Sequence, residues 1–250
     1  MSDRAASGLF TLGVASDRFR LPHPQLGLPM ILLVRRVVLC AFDRLREQSF
    51  PLATAMEDEV TAALRSVIEN DFRQTGFVLG FSRRSYEAVV RQGQAANYDG
   101  SRLTKSPDLC FKLCNGEEEP GLVVSEHDAL FVECKPVDKT HSAGGRYCDD
   151  GLCRFVDGDY AWAMEEALML GYVRHGRSIE KNLIPAMRKP ERLSALKVVD
   201  LPERVPHPGA SAVDHAETLY VSRHGRGFQW IANKGIATDI LVYHSWHDCD

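Results

Sequence analysis

A chain of 250 residues with 44% hydrophobic and 26% charged side chains lies in the ordinary globular range, which excludes a collagen-like, low-complexity or wholly disordered polypeptide. Thirty Lys and Arg against 34 Asp and Glu leave a formal charge of -4, so no bulk positive field draws the chain to nucleic acid or an anionic membrane. Seven cysteines cannot all pair, and with no recognisable secretory signal the expectation is a reducing, cytoplasmic compartment.

Residues 1–29, with three prolines in the segment LPHPQLGLP, are expected to form a partly irregular arm ahead of a single domain over residues 30–250. The apolar stretch LGLPMILLVRRVVLCAF is interrupted by Pro29, Arg35 and Arg36 and is too short to span a bilayer. From Met30 to about Glu47, Val34, Val38, Phe42 and Leu45 recur at three- and four-residue spacing, which predicts an amphipathic helix. A second helix is expected behind a Thr54 cap, with Val60, Leu64, Val67 and Ile68 on one face and an end near Gly76. The pattern then shortens. GFVLGF (76–81), PDLCFKL (107–113), GLVV (121–124) and ALFVECK (129–135) read as strands, the last three as an antiparallel meander separated by polar turns. HSAGGRYCDDG reads as a Gly-rich loop. DYAWAMEEALMLGYVR, with Trp162, Leu168 and Met169 among helix formers behind Asp157 and Asp159, reads as a long third helix. ALKVVDL, TLYVSR and DILVYHSW close the chain as strands. No internal repeat interrupts this order, so an α/β or α+β architecture with one central sheet is expected.

Residues two apart in a strand face the same way, so Glu133 and Lys135 share one side of ALFVECK while Val132 and Cys134 face the other. A tight meander brings Asp108, at the opening of PDLCFKL, beside Glu133. Two carboxylates and an ammonium then converge, and hard divalent cations prefer carboxylate oxygens plus water and phosphate oxygens. A solvated Glu–Lys pair is the plain alternative and contributes little. Against it, both residues close an apolar run, where a solvated pair has little reason to sit.

Pro107-Asp108 followed by Glu133-Cys134-Lys135 resembles the motif of the PD-(D/E)XK superfamily, the restriction-endonuclease-like phosphodiesterases, with the agreement in element order spanning about residues 54–200. The resemblance implies an α/β restriction-endonuclease-like core, a central mixed sheet flanked by helices. It implies that Asp108 and Glu133, with the backbone carbonyl near Cys134, bind Mg²⁺ or Mn²⁺, and that Lys135 positions the attacking water in a DNA endonuclease; many relatives are homodimers. Members often add a Glu from the first core helix. Helical periodicity puts Glu57 on the same stripe as Val60 and Leu64 and turns Glu59 away, so Glu57 is the expected fourth residue. Arg154 and Tyr160 are placed to touch the substrate phosphate.

Other readings compete. A nuclease-like fold that only binds nucleic acid or a protein partner needs the same core without metal-dependent cutting. Arg174-His175-Gly176 and Arg223-His224-Gly225 resemble the RHG of histidine phosphatases, although that family carries its motif near the N-terminus and only 25 residues follow Gly225. Arg83, Arg84 and Lys105, and Arg223, His224 and Arg226, are short basic clusters that suit a nucleic-acid backbone. Cys110 with Cys114 and Cys148 with Cys153 lack the spacing of zinc knuckles, and His244, His247 and Cys249 read as a frayed end, so no structural zinc is expected.

Overall fold

In the computed structural model, which describes residues 21–23, 25–91, 97–99, 101, 106–112, 129–205, 219–230 and 235–250, the first helix, α1, spans Leu28–Glu47. Pro29 sits in its first turn, where a missing N–H forfeits no helical bond. Its start falls inside the range expected to be an arm. The residues just before it are packed rather than loose: His23 is buried with its amide donating to the carbonyl of Ala163, and the amide of Gly27 donates to Glu166 Oε2 at 3.0 Å. Residues 1–20 of the expected arm lie outside the described residues.

The second helix, α2, runs over Glu57–Val67 and continues through a π-helical turn, Ile68–Phe72, into Arg73–Thr75. Gly76, at φ 69°, ends it as the periodicity predicts. Met56 rather than Thr54 is the capping residue, because the Glu59 carboxylate reaches back to accept the Met56 amide at 2.8 Å. GFVLGF is not a strand. It forms turns, with Gly80 at φ 89° and the side chains of Phe77 and Leu79 exposed.

The strands are β1 (Val90–Arg91), β2 (Leu109–Lys112), β3 (Ala129–Val137), β4 (Glu166–Val173), β5 (Val198–Arg204), β6 (Tyr220–His224) and β7 (Ile240–Asp248). They form one seven-stranded mixed sheet in the order β1-β2-β3-β4-β7-β6-β5. β1, β2 and β3 pair antiparallel, β4 is parallel to both β3 and β7, and the β7–β6–β5 edge is antiparallel. The expected strand GLVV and its flanking turns lie outside the described residues, but β2 pairs directly with β3, which corrects the meander expected with GLVV between them.

Two assignments in the middle of the chain are exchanged relative to the sequence reading. The segment expected to be a third helix supplies β4, whose eight residues are all buried. A central parallel strand is covered on both faces and reads as an unbroken apolar run, so EALMLGYV carries no alternation to separate it from a buried helix. The segment expected to be a Gly-rich loop is helical instead. This helix, α3, is π-helical over Ala143–Leu152 and continues over Cys153–Val156. Ser142 caps it, its hydroxyl accepting the Gly145 amide at 3.0 Å. Each glycine costs a helix about 1 kcal/mol relative to Ala. Burial of Tyr147, Cys148, Leu152 and Phe155 against the sheet opposes that cost.

Two further short helices follow β4: α4, Ile179–Leu183 extended by Ile184–Met187, and α5, Pro190–Ala195. The architecture is α/β. Helices α1 and α2 cover one face, packing Val34, Val38, Phe42, Val60 and Leu64 on Leu130, Val132, Cys134, Leu168 and Leu170. The other face carries α3 and α4, with Tyr147, Leu152, Leu183 and Met187 on Phe131, Met169 and Val242. Among the described residues no helix is long and apolar enough to cross a membrane.

Candidate active site

Alternation along β3 sends Leu130, Val132 and Cys134 into the α1–α2 core and Phe131, Glu133, Lys135 and Val137 toward α3. Register sets the next residue. Leu109 of β2 pairs with Val132, so Asp108, one step beyond the ladder, falls opposite Glu133. Its Oδ2 accepts the Cys134 amide at 2.7 Å, which anchors it across the gap. Because β2 stops here, the last residues of β3 have, among the described residues, a strand neighbour only in β4, and side chains gather at this open end of the sheet.

The ammonium of Lys135 is the hub. It lies 2.7 Å from Glu57 Oε1, 2.8 Å from Glu133 Oε1 and 3.6 Å from Asp108 Oδ2, and it donates to the Cys134 carbonyl at 3.0 Å. Glu57 comes from the first turn of α2, whose other residues pack on the opposite face, so the helix start reaches around the end of the sheet. Glu59 is spent on the cap of α2 and takes no part. Arg154 Nη1 stands 2.9 Å from Glu133 Oε1, and the Tyr160 hydroxyl donates to Glu133 Oε2. Every residue singled out from sequence for this cluster is therefore within one connected set of contacts.

Arg146 was not anticipated. Its Nη2 lies 3.0 Å from Glu57 Oε2 and its Nη1 3.3 Å from Asp150. Reading 141–151 as a loop hid it, although Arg146 and Asp150 at i, i+4 behind a Ser cap are a helical signal. Gly151 was passed over for the same reason. A Cβ there would stand 3.0 Å from the Met169 methyl and 3.1 Å from Lys135 Cγ, so the bare Cα lets α3 lie against the Lys135 stem.

Burial grades the cluster from floor to mouth: Glu133 is fully buried and Lys135 is 3% exposed, whereas Arg154 and Arg146 are 34% and 41% exposed. Burial, with the like charge of Asp108, raises the Glu133 carboxyl to about 7 against the pull of Lys135 and Arg154. Asp108 is also raised, by burial above all, with Lys135 and the Cys134 amide opposing. Burial favours the neutral amine of Lys135, but Glu133, Asp108 and Glu57 together outweigh it and hold its pKa above the ordinary lysine value. Lys135 is thus held as an ammonium that donates hydrogen bonds.

The remaining candidates lie elsewhere. His224 is fully buried, its Nε2 on the Ser222 hydroxyl and its Nδ1 on the Leu196 carbonyl, both at 2.8 Å, so it presents no nitrogen to a phosphate. Arg226 is buried against the carbonyls of Thr238, Ala161 and Trp162, and Arg223 pairs with Asp200. That basic cluster is dispersed into structural roles. Arg174 likewise caps the carbonyls of Leu52 and Ala55. His244 and His247 sit in β7 rather than a frayed end: His244 bonds Ser222 and Tyr147, and His247 stacks on Phe42. Lys105 and Cys114 lie outside the described residues, while Arg83 and Arg84 are exposed.

The oxygen set of Glu57, Asp108, Glu133 and the Cys134 carbonyl consists of hard donors, the kind Mg²⁺ and Mn²⁺ take. Among the described residues no group of three or more His, Cys, Asp or Glu side chains stands ready to enclose an ion. The three carboxylates instead surround the Lys135 ammonium, so the donor chemistry suits a hard cation provided the ammonium withdraws. Compared with family models, curated proteins and solved structures, the chain finds no match.

Proposed function

We propose that this chain is a metal-dependent nuclease with a restriction-endonuclease-like core, cutting a DNA phosphodiester by attack of water. The observation that carries the reading is the convergence of Glu57, Asp108 and Glu133 on the Lys135 ammonium at the open end of β3. The order α2, the antiparallel strands β1 to β3, the helix α3 and the parallel strand β4 supports it, since the core of the superfamily that the motif resembles runs helix, three strands, crossing helix and strand, although β1 and α3 are not the segments expected in those places.

Asp108, Glu133 and Glu57, with the Cys134 carbonyl, are the groups that would hold Mg²⁺ or Mn²⁺. When bound, such an ion supplies Lewis acidity and a lowered pKa for coordinated water. The chain's own residues do the rest. Lys135, held protonated, donates a hydrogen bond that orients the nucleophile and offsets negative charge growing on the phosphoryl oxygens. Arg154, half-exposed at the mouth and anchored on Glu133, offers a guanidinium to the phosphate, and the buried Tyr160 hydroxyl fixes the Glu133 carboxylate in rotation. Specificity for DNA, and assembly as a homodimer, are carried by the resemblance alone.

One observation favours a second reading. Three carboxylates meet three cations, Lys135, Arg146 and Arg154, so the cluster is electrically complete without an ion and suits a nuclease-like fold that binds nucleic acid or a partner without cutting. Incubating plasmid and single-stranded DNA with the native chain and with Lys135→Ala, in Mg²⁺ or EDTA, separates the two. Cleavage that needs Mg²⁺ and falls about 10²-fold or more in the variant is the expected result. DNA retained without products sinks the nuclease.

A further inference from the structure

Two residues beyond Lys135 on the same face of β3, about 7 Å along the strand, Val137 lines a cavity of about 240 Å³. The cavity is ringed by Lys139, Arg177, Lys189 and Arg192, against the single carboxylate of Asp138. That carboxylate is already occupied by the amides of Thr140 and His141 and by their side chains. Among the described residues the side chains of Lys139, Arg177 and Lys189 have neither an ion pair nor a hydrogen bond, which leaves three cations facing one hollow with no anion to meet.

The helix that forms the cavity wall sharpens this imbalance. Ser142, Ala143 and Gly144 open α3 into the cavity, and although Ser142 takes the Gly145 amide, the amides of Ala143 and Gly144 precede the first intrahelical bond, so this end is positive. The Arg192 guanidinium nevertheless rests directly on it: a Cβ at Gly144 would lie 2.6 Å from its central carbon. Asp149, which is not among the residues lining the cavity, binds Arg192 through two oxygens at 2.8 and 2.9 Å, and Glu191 adds a weaker opposing charge. Even with Arg192 held by Asp149, four cations and a helix start face a hollow that contains one occupied carboxylate, a positive field that suits an anion. The same helix sends Arg146, two residues on, to Glu57, so a single turn of α3 touches both the cavity and the carboxylate cluster.

We infer that this cavity binds a phosphate group of the nucleic-acid strand next to the one held at the carboxylate cluster. The identity of the ligand as a strand phosphate rests on the nuclease reading, whereas the anion site stands on the cavity and its cations. Lys139, Arg177 and Lys189 supply the charge and the α3 amides the directed donors; Arg192 closes the wall. A strand gripped one step from the cluster is fixed in direction as well as position, since the cavity lies to one side of it only.

The test is binding in EDTA, where no cutting occurs. The probes are a short single-stranded oligodeoxynucleotide with a 5′-phosphate, the same strand with a 5′-hydroxyl, and inorganic phosphate. Arg177→Gln with Lys189→Gln is compared with Arg36→Gln with Arg46→Gln, which removes equal charge from exposed positions on α1. The cavity variant is expected to weaken oligonucleotide binding and to lower its log–log salt slope by about 0.7, the single-strand value for one lost phosphate. The control variant should leave both unchanged. Loss confined to the 5′-phosphorylated strand identifies a terminal phosphate, and equal loss for both strands an internal one. Equal behaviour of the two variants overturns the inference, as does an effect limited to inorganic phosphate. If the native chain binds as described yet never cuts DNA in Mg²⁺, the nuclease reading falls and the anion site remains.

Discussion

Glu133 is caught between two demands. It is buried to the last atom, which favours the neutral acid, and it is touched by Lys135, Arg154 and Tyr160, which all suit the anion. Burial with the charge of Asp108 prevails and lifts the carboxyl to about 7 from 4.5. Between those values the folded chain holds more proton than the unfolded one, so the Glu133 contribution to stability falls as pH rises through about 4.5 to 7. Glu133→Gln removes that dependence. In EDTA, the stability of the variant relative to the native chain should climb with pH across this window and level above about 8, read from denaturant midpoints; a difference that stays flat contradicts the assignment. At this scale the chain was largely legible. Strand alternation put Glu133 and Lys135 on one side, and helical periodicity chose Glu57 over Glu59, because both periods are properties of the local backbone. Arg146 escaped because its neighbours were read as a loop.

At the scale of elements, α3 is where local preference and outcome part. Three glycines in AGGRYCDDGL argue against a helix, and the helix forms because contact with the sheet outweighs propensity. The glycines are used. Gly144 admits the Arg192 guanidinium and Gly151 admits the stem of Lys135, so α3 lies closer to β3 than a side chain would permit. Gly151→Val should cost about 1–3 kcal/mol by overpacking against Met169 and Lys135. It should also lower cleavage more than its stability loss accounts for, since Lys135 must move. A denaturant midpoint and a Mg²⁺-dependent cutting rate measured on the same preparation check both parts; full activity at reduced stability would show that α3 does not position the lysine. β4 failed in the opposite sense, as Ala, Leu and Met favour a helix in isolation, yet two parallel neighbours and cover on both faces make the segment a strand.

For the whole molecule, the sheet is the instrument that assembles the candidate site. β2 ends one residue short of Asp108's partner, β3 runs past it, and α2 reaches the same end from the opposite layer, so charges from positions 57, 108 and 133 meet around the Lys135 nitrogen. The resulting cluster holds three carboxylates in little solvent, which makes the fold sensitive to any cation that joins it. A divalent ion that binds the folded chain alone, at ten times its dissociation constant, raises stability by about 1.4 kcal/mol. Mg²⁺ titrated against the thermal midpoint should show this rise in the native chain and lose it in a Glu133→Gln, Asp108→Asn double variant. Equal shifts in both would place the ion elsewhere.

Which residues carry the chemistry, and which face of their own strand or helix they occupy, follows from spacing along the chain, since a two-residue or 3.6-residue period needs no distant partner. Whether EALMLGYV is a strand, whether AGGRYCDDGL is a helix, and where a hollow lined by unpaired cations opens are settled by layers meeting across the sheet. Burial on both faces and close approach at glycine are relations between segments far apart in the sequence, and no local pattern encodes them.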